Sequence, residues 1–562
     1  LAHLARGAGP QTDRQRGRQH DEEEEQGAAG GPEVPHGSED SRRPRHPQVS
    51  AGHARSLAVR STTGYAPGTM TTRLILVGFP LLFTLALAPT LGCDGDDDDS
   101  GSPPDDDDDD VGDDDDDVVA SFTAEATFSE AVPTDATIRW TTDVPGTTQV
   151  LYGLDEDLSL ATPVDETETT DHAAVLLGLK AGRSYGFQAV TETTDDQTLT
   201  SDLETLTVAP APSGISALTI TVPDPGAELA DGFVLTSLVQ EDGNWIVVID
   251  RDGDIVWYLE FPARLITSLK IPTDGRGFYT IHSDITQTED TSEIAWYAID
   301  ASDLTVTPAR MGHHDVVMLP DRTYAYLGFE FHTIIDYGGV EEQVAGDIIV
   351  EIPEGGTEDD SETVFSLFDV YPHPQPICEH GYWSAYNTDG KDWSHANSLT
   401  MVPGDEDTYY LMASYLDALL KIDRATGEVL WEMQGPHDEF TPVGSPDAWS
   451  HPHMSQTFDG GFTVFDNGYH RNPSHSRVIE FSFDEGAMTT TSEWLYADPD
   501  GRFNAVLGDI KKIADDRYLT VWSQFGMLVE LDTAGDIVWK AETALGSAVG
   551  RIVWVPDLYE LM

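Results

Sequence analysis

Positive charge is scarce in this sequence. Only 30 Lys and Arg stand against 101 Asp and Glu among 562 residues, a formal net charge of -71. A surface that neutralises nucleic-acid phosphate needs the opposite balance, so DNA and RNA are excluded as partners. Cysteine is nearly absent as well, and two thiols cannot build a disulfide framework. Gly (50) and Pro (33) are plentiful, and Val, Thr, Tyr and Trp cluster in short runs, which favours strands and turns over long helices. With 39% apolar and 9% aromatic residues, the chain can bury a sizeable core spread over several domains.

The first segments are unlike the rest. Residues 1–69 mix Arg, Gly, Pro, His and Gln without a hydrophobic period and are read as a mistranslated leader or a disordered extension. Residues 70–93 then resemble a lipoprotein-type export signal: Met70, a basic Arg73, an apolar run over 74–88, and Thr90-Leu91-Gly92-Cys93 in place of a lipobox. The resemblance implies lipidation at Cys93 and an exported chain anchored at the bacterial cell envelope, on the periplasmic face or the cell surface. An uncleaved membrane anchor is the alternative, since 74–92 almost suffices to span a bilayer. Residues 94–117 carry sixteen Asp, whose mutual repulsion makes them a solvated linker.

From 118 to 210 apolar and polar residues alternate, as in Ala136, Ile138, Trp140, then Val150, Tyr152, then Val175, Leu177, Leu179, then Tyr185, Phe187, Ala189. Short strands at this spacing predict a two-sheet sandwich. Ile138-Arg139-Trp140 and the run over 179–185 resemble a fibronectin type III domain. No catalytic cluster occurs in it.

Residues 214–562 repeat themselves, and the period decides the fold. One unit is an outer hairpin, apolar strand, Asp-x-x-Gly-type turn, apolar strand, clearest at 247–257, 420–431 and 529–539, with looser copies near 297–307, 348–367 and 478–495. Alternating with it is an inner hairpin at 269–282, 315–331, 397–415, 453–467 and 509–525, with 233–239 as the sixth. Two hairpins make a four-stranded blade, so the prediction is an all-β chain: a six-bladed β-propeller behind the small sandwich, its first blade completed by a C-terminal strand at 552–555. Trp257, Trp431 and Trp539 recur at one repeat position and are expected to pack between blades.

Three inner hairpins open with histidine: His313-His314-Asp315, Ser394-His395-Ala396-Asn397, and His451-Pro452-His453. Matching positions in successive blades lie on one ring around the propeller axis, so His314, His395 and His453 are expected to meet at one channel mouth. A single histidine of this kind is more often an ordinary polar loop residue; three at matching positions in adjacent blades favour a shared site. Three imidazoles are also a set that zinc or copper accepts, but the reading adopted carries no metal and no cofactor.

The His-His-Asp, the Asp392-Trp393-Ser394-His395-Ala396-Asn397-Ser398 run, and His453 with the later Phe465-Asp466-Asn467-Gly468 resemble the bacterial arylsulfotransferase (aryl-sulfate sulfotransferase) family over roughly 214–560. The resemblance implies an exported propeller that needs no nucleotide sulfate donor. It implies small-molecule partners, an aryl sulfate donor and a phenolic acceptor, with a sulfohistidine between them, and it is compatible with a homodimer. His453 would be the nucleophile, and His395 and His314 would donate hydrogen bonds to the sulfuryl oxygens and leaving phenolate. Asn397 and Asp315 would orient the rings, and Asn467 would support them. The chain departs from the family at Ser414, where members carry an arginine; Arg471, Arg502 and Arg551 are the cations available to replace it.

Two other readings follow from the same residues. A non-catalytic, surface-tethered propeller could bind a ligand through its channel, and Ser414 favours it. A quinoprotein dehydrogenase-like propeller is suggested by the 422–431 run, although its repeat should recur in most blades. Cys378, with His373, His380 and Trp383, falls in a long insertion that could cover the channel.

Overall fold

The computed structural model describes residues 122–562 apart from 156, 214, 216–217, 223–228, 241–242, 262–264, 284–289, 336–338, 373–389, 445–446 and 544–547. The expected leader, signal, Cys93 and Asp-rich linker, and the insertion holding Cys378, lie outside the described residues. The described part is almost entirely β.

Its first domain is built around one long strand, Ala136–Leu154. The first half of this strand pairs with Glu125–Phe128 and Asp165–Leu176, and the second half with Ser184–Glu192. The strand therefore serves two layers. Ile138, Trp140, Val150, Tyr152, Tyr185 and Phe187 from both layers bury together, as their alternation predicts. One run departs from the expectation. Ala174 and Leu176 enter this core in place of Val175, while Val175 and Leu177 face outward and pack on the propeller cluster of Trp257, Leu558 and Leu561. An apolar residue on the outer face of a sandwich needs a cover, and the propeller supplies it.

Polar contacts fix the same junction. The Tyr559 hydroxyl meets the Leu177 amide, the Val175 carbonyl and the Tyr152 hydroxyl, each at 3.2 Å. Lys180 reaches from the sandwich into a turn of the first blade, 2.9, 2.7 and 2.9 Å from Asp250, Asp252 and Asp254. Burial alone would lower the Lys180 pKa, but the three carboxylates raise it. The ammonium occupies the point where those carboxylates converge.

Beyond the sandwich are six blades. Blade 1 contains Phe233–Gln240, Gly243–Ile249 and Ile255–Phe261, and the C-terminal strand Ala548–Val555 pairs on the inner side of Phe233–Gln240. Blades 2 to 6 begin with the inner strands Leu265–Lys270, Gly312–Met318, Ala396–Thr400, Pro452–Phe458 and Asp509–Ala514. Leu218–Thr221 adds a fifth, outer strand to blade 6, so the ring is closed from both ends of the propeller chain. Closure covers the blade faces that an open stack would expose and leaves only short strand edges.

The recurrent tryptophans pack as expected. Trp257, Trp431 and Trp539 are buried, and each indole N–H bonds to the outer turn of the following blade: the Ile299 carbonyl, the Glu485 carboxylate and the Arg251 carbonyl. Trp494 follows the same rule with the Thr533 carbonyl. An indole combines a large apolar area with one directional donor, which suits a wedge between twisted sheets.

Candidate active site

Inner strands point side chains toward the axis, and in this propeller they are interrupted there. Pairing registers shift within 266–268, 313–316, 396–398, 453–455 and 549–552, at the same stage of five inner strands. Each shift is a β-bulge, which bends the strand and re-aims a side chain. His314, His395 and Met454 adopt left-handed backbone conformations, with φ of 53, 48 and 36°, as does His451 at 48°. Such conformations cost non-glycine residues roughly 1–3 kcal/mol each, and their concentration at one ring marks a place where geometry outranks stability.

The three predicted histidines meet on this ring. The His314 and His395 rings stand 4.7 Å apart, edge to face, and His395 lies 6.3 Å from His453. His395 and His453 are buried, while His314 keeps partial exposure.

Each ring has its own orienting partner. His453 Nδ1 is 2.6 Å from Asn467 Oδ1. The Asn467 amide nitrogen donates to the Asn504 carbonyl at 2.6 Å and the Leu507 carbonyl at 3.0 Å, so its oxygen must face the imidazole. His453 Nδ1 is therefore the protonated nitrogen, and the lone pair lies on Nε2. His395 Nδ1 lies 2.5 Å from Asp392 Oδ2, and the same carboxylate accepts from the His395 amide at 3.0 Å. His314 Nδ1 sits 2.8 Å from His313 Nδ1, and His313 stacks on Phe329 with its Nε2 3.1 Å from Asp347. Asp347 also accepts from the Ala396 amide at 2.8 Å and from the Ser394 hydroxyl, pinning the loop that carries His395.

These surroundings drive the rings apart electrically. Burial and the adjacent His395 push the His453 pKa down to about 3, and Arg551 and His451 add to this. Burial and the neighbouring histidines also hold His314 well below the usual imidazole range. His395 moves the other way: burial opposes its charge, but Asp392 outweighs burial and raises its pKa. Two neutral imidazoles thus flank one that favours its proton.

A family profile described as arylsulfotransferase (ASST) matches residues 219–542, more than half of the chain. The chain belongs to the arylsulfotransferase family. No curated protein matches it. Among solved structures it is similar to a protein of unknown function from Bacteroides caccae, at 13% identity over 58% of this chain and 100% of that one, with a TM-score of 0.35. It is also similar to Kuenenia stuttgartiensis hydrazine synthase, at 13% identity over 55% of this chain and 78% of that one, with a TM-score of 0.28.

Within this arylsulfotransferase-family propeller, two expected roles need correction. Asp315 does not orient the imidazoles. Its carboxylate turns along the channel to Ser268 at 2.6 Å, Lys270 at 2.8 Å and the Leu399 amide at 2.8 Å, where it laces three inner strands together. Asn397 acts on backbone as well: its amide nitrogen donates to the Pro452 carbonyl at 2.9 Å, fixing the residue before His453. Ring orientation falls instead to Asp392, Asn467 and His313. The sequence motif contained Asp392, but only its 2.5 Å approach to His395 separates it from a turn-capping residue.

The cations also sort themselves. Ser414 is buried, its amide donates to the His395 carbonyl at 3.1 Å, and its hydroxyl has no partner among the described residues. Arg471 is held by Asp466 and the Ala448 carbonyl, and Arg502 by Asp498 and Asp500. Arg551 comes to the channel. It rises from the closing strand of blade 1, donating from Nε to the Thr267 carbonyl at 2.7 Å and from Nη2 to the His314 and Asn397 carbonyls, both at 3.2 Å.

A row of aromatic rings leads away from the histidines. Tyr415 stacks on His395 at 4.6 Å and meets His451 at 5.3 Å; His451 meets Tyr469 at 4.7 Å, and Tyr469 meets Phe503 at 5.0 Å. Sequence reading missed this row because its members come from the ends of several hairpins with no shared spacing.

Proposed function

We propose that this chain moves a sulfuryl group from an aryl sulfate to a phenol through a sulfated His453, without a nucleotide donor. The observation that carries the reading is the His453–Asn467 pair: a buried, neutral imidazole whose Nδ1 proton is committed and whose Nε2 lone pair is free beside two further imidazoles.

In the first half-reaction His453 Nε2 forms a bond to sulfur as the bond from sulfur to the aryl oxygen breaks. His395, held protonated by Asp392, passes its Nε2 proton to the departing phenolate. His314, with its Nδ1 accepting the hydrogen bond from His313 Nδ1, presents its Nε2 N–H to a sulfuryl oxygen, and such a preorganised donor contributes about 3–4 kcal/mol. The sulfated ring keeps its Nδ1 proton and therefore departs as neutral imidazole in the second half-reaction. There the acceptor phenol oxygen attacks sulfur, and His395 recovers its proton from that phenol. The row Tyr415, His451, Tyr469 and Phe503 is suited to stack the aryl groups of donor and acceptor. We further propose that the chain works outside the cytoplasm, tethered by lipid at Cys93.

The test is transfer from nitrophenyl sulfate to phenol by wild type and His453→Ala, followed by initial rates at varied donor and acceptor. Parallel double-reciprocal lines, with loss of about 1000-fold or more in the variant, are expected for a covalent relay. Equal turnover by both proteins dismisses the histidine mechanism, and no turnover by wild type dismisses the transferase reading.

A further inference from the structure

Among the described residues, Arg551 is the buried cation that no carboxylate pairs. Lys180, Arg251, Lys270, Arg322, Lys421, Arg424, Arg471, Arg477 and Arg502 all lie within ion-pair distance of Asp or Glu, as do Lys511, Lys512, Arg517 and Lys540. Arg551 is 5% exposed and is held by three carbonyl groups instead, while its Nη1 has no partner. The two carboxylates whose charge acts on it are already engaged. Asp315 pairs with Lys270 at 2.8 Å and Asp509 with Lys511 at 3.0 Å.

A buried guanidinium without a counter-ion is costly, because desolvation of the charge is not repaid by a partner. In a chain with 101 acidic residues, leaving this site unpaired is not a matter of supply. The three carbonyls that hold it belong to Thr267, His314 and Asn397, in the bulged stretches of blades 2, 3 and 4, so the guanidinium is fixed at the level where the histidines converge. Arg551 also lines a cavity of about 20 Å³ with Thr267, Leu507 and Gly508, space for one oxygen-sized group beside the side chain.

We propose that Arg551 is the anion-binding residue of this site, its free Nη1 receiving an oxygen of a tetrahedral oxyanion, a sulfate or the sulfuryl group in transfer. The proposal deepens the sulfuryl-transfer reading and rests on it for the identity of the anion. Arg551 also explains how the channel accommodates Ser414. The positive charge arrives from the C-terminal closing strand instead of the fourth blade, and a guanidinium can be held by carbonyls through two nitrogens while the third stays available to an oxyanion, which an ammonium cannot do with the same rigidity. The same charge helps keep His314 and His453 unprotonated, which preserves the nucleophile.

The test is calorimetric titration of the intact chain with sodium sulfate, against sodium chloride at matched ionic strength, for wild type, Arg551→Lys and Arg551→Gln. Wild type should bind one sulfate, Arg551→Gln should bind at least about tenfold more weakly, and Arg551→Lys should fall between them. Sulfate should inhibit transfer competitively against the donor in wild type. No sulfate binding by wild type, or equal affinity in Arg551→Gln, overturns the proposal. If Arg551→Gln does not fold, a wild-type crystal in selenate decides: an anomalous peak within hydrogen-bond reach of Nη1 supports the assignment, and an empty position overturns it. The outcomes separate the two claims. Arg551-dependent sulfate binding without transfer removes the transferase reading and leaves this one standing, whereas transfer with equal sulfate affinity in Arg551→Gln does the reverse.

Discussion

Asp392→Asn is the substitution that most directly interrogates the proposed proton traffic. The carboxylate lies 2.5 Å from His395 Nδ1 and 3.0 Å from the His395 amide, and an asparagine of the same shape preserves the second contact while removing the charge. A hydrogen bond to a charged group is worth about 1.5–3 kcal/mol, so loss of the imidazolium partner should slow the first half-reaction roughly 10- to 150-fold. The sign of the pH effect follows from the direction of each shift. His395 must be protonated to release the phenol, so the rate falls as pH rises through its raised pKa, and in Asp392→Asn that fall should begin at lower pH. His453 must be neutral, and its pKa of about 3 places the acidic limb far below that of a free imidazole in both proteins. The assay is chromatographic measurement of released phenol across roughly pH 4 to 9 with two donors, nitrophenyl sulfate and unsubstituted phenyl sulfate. General acid help matters more for the poorer leaving group, so the variant should lose more activity with phenyl sulfate. Unchanged alkaline limbs and equal losses with the two donors would refute the role given to His395.

Asn467→Ala should remove the lock on the His453 tautomer and leave a buried ring N–H without its acceptor, a cost of about 1–3 kcal/mol. Steady-state kinetics should show a kcat lower by roughly 10- to 100-fold with donor KM nearly unchanged. Trp539→Ala should lower the unfolding free energy by about 3–5 kcal/mol, read by denaturant titration, because the indole is fully buried between blades 6 and 1 and donates to Arg251. A loss below about 1 kcal/mol would mean that blade packing tolerates the cavity. Cys93→Ser should abolish incorporation of labelled fatty acid into the chain in growing cells, while sulfate transfer persists; equal labelling of both proteins would refute lipidation at Cys93.

What the sequence reveals and what it hides have physical causes. Blade number was legible because each blade repeats two hairpins with turn residues at fixed offsets, and because the tryptophans that wedge neighbouring blades must recur at one strand position. The convergence of His314, His395 and His453 was legible for the same reason: a closed ring turns equal repeat positions into spatial neighbours. Orientation was not legible. Asp315 follows His314 directly and seemed placed to steer it, but a bulge reverses the local alternation, and the carboxylate runs down the channel to Lys270. Asn467 lies fourteen residues from the ring it fixes, and the peptide carbonyls that fix Asn467 in turn belong to Asn504 and Leu507, at the entrance to the next blade. Arg551 was hardest to place, since it comes from the far end of the chain and is held only by carbonyl oxygens, which leave no signature in side-chain spacing. Backbone acceptors exposed by bulges are therefore part of the site's chemistry: the strain that turns the histidines inward also frees the carbonyls that hold the guanidinium among them.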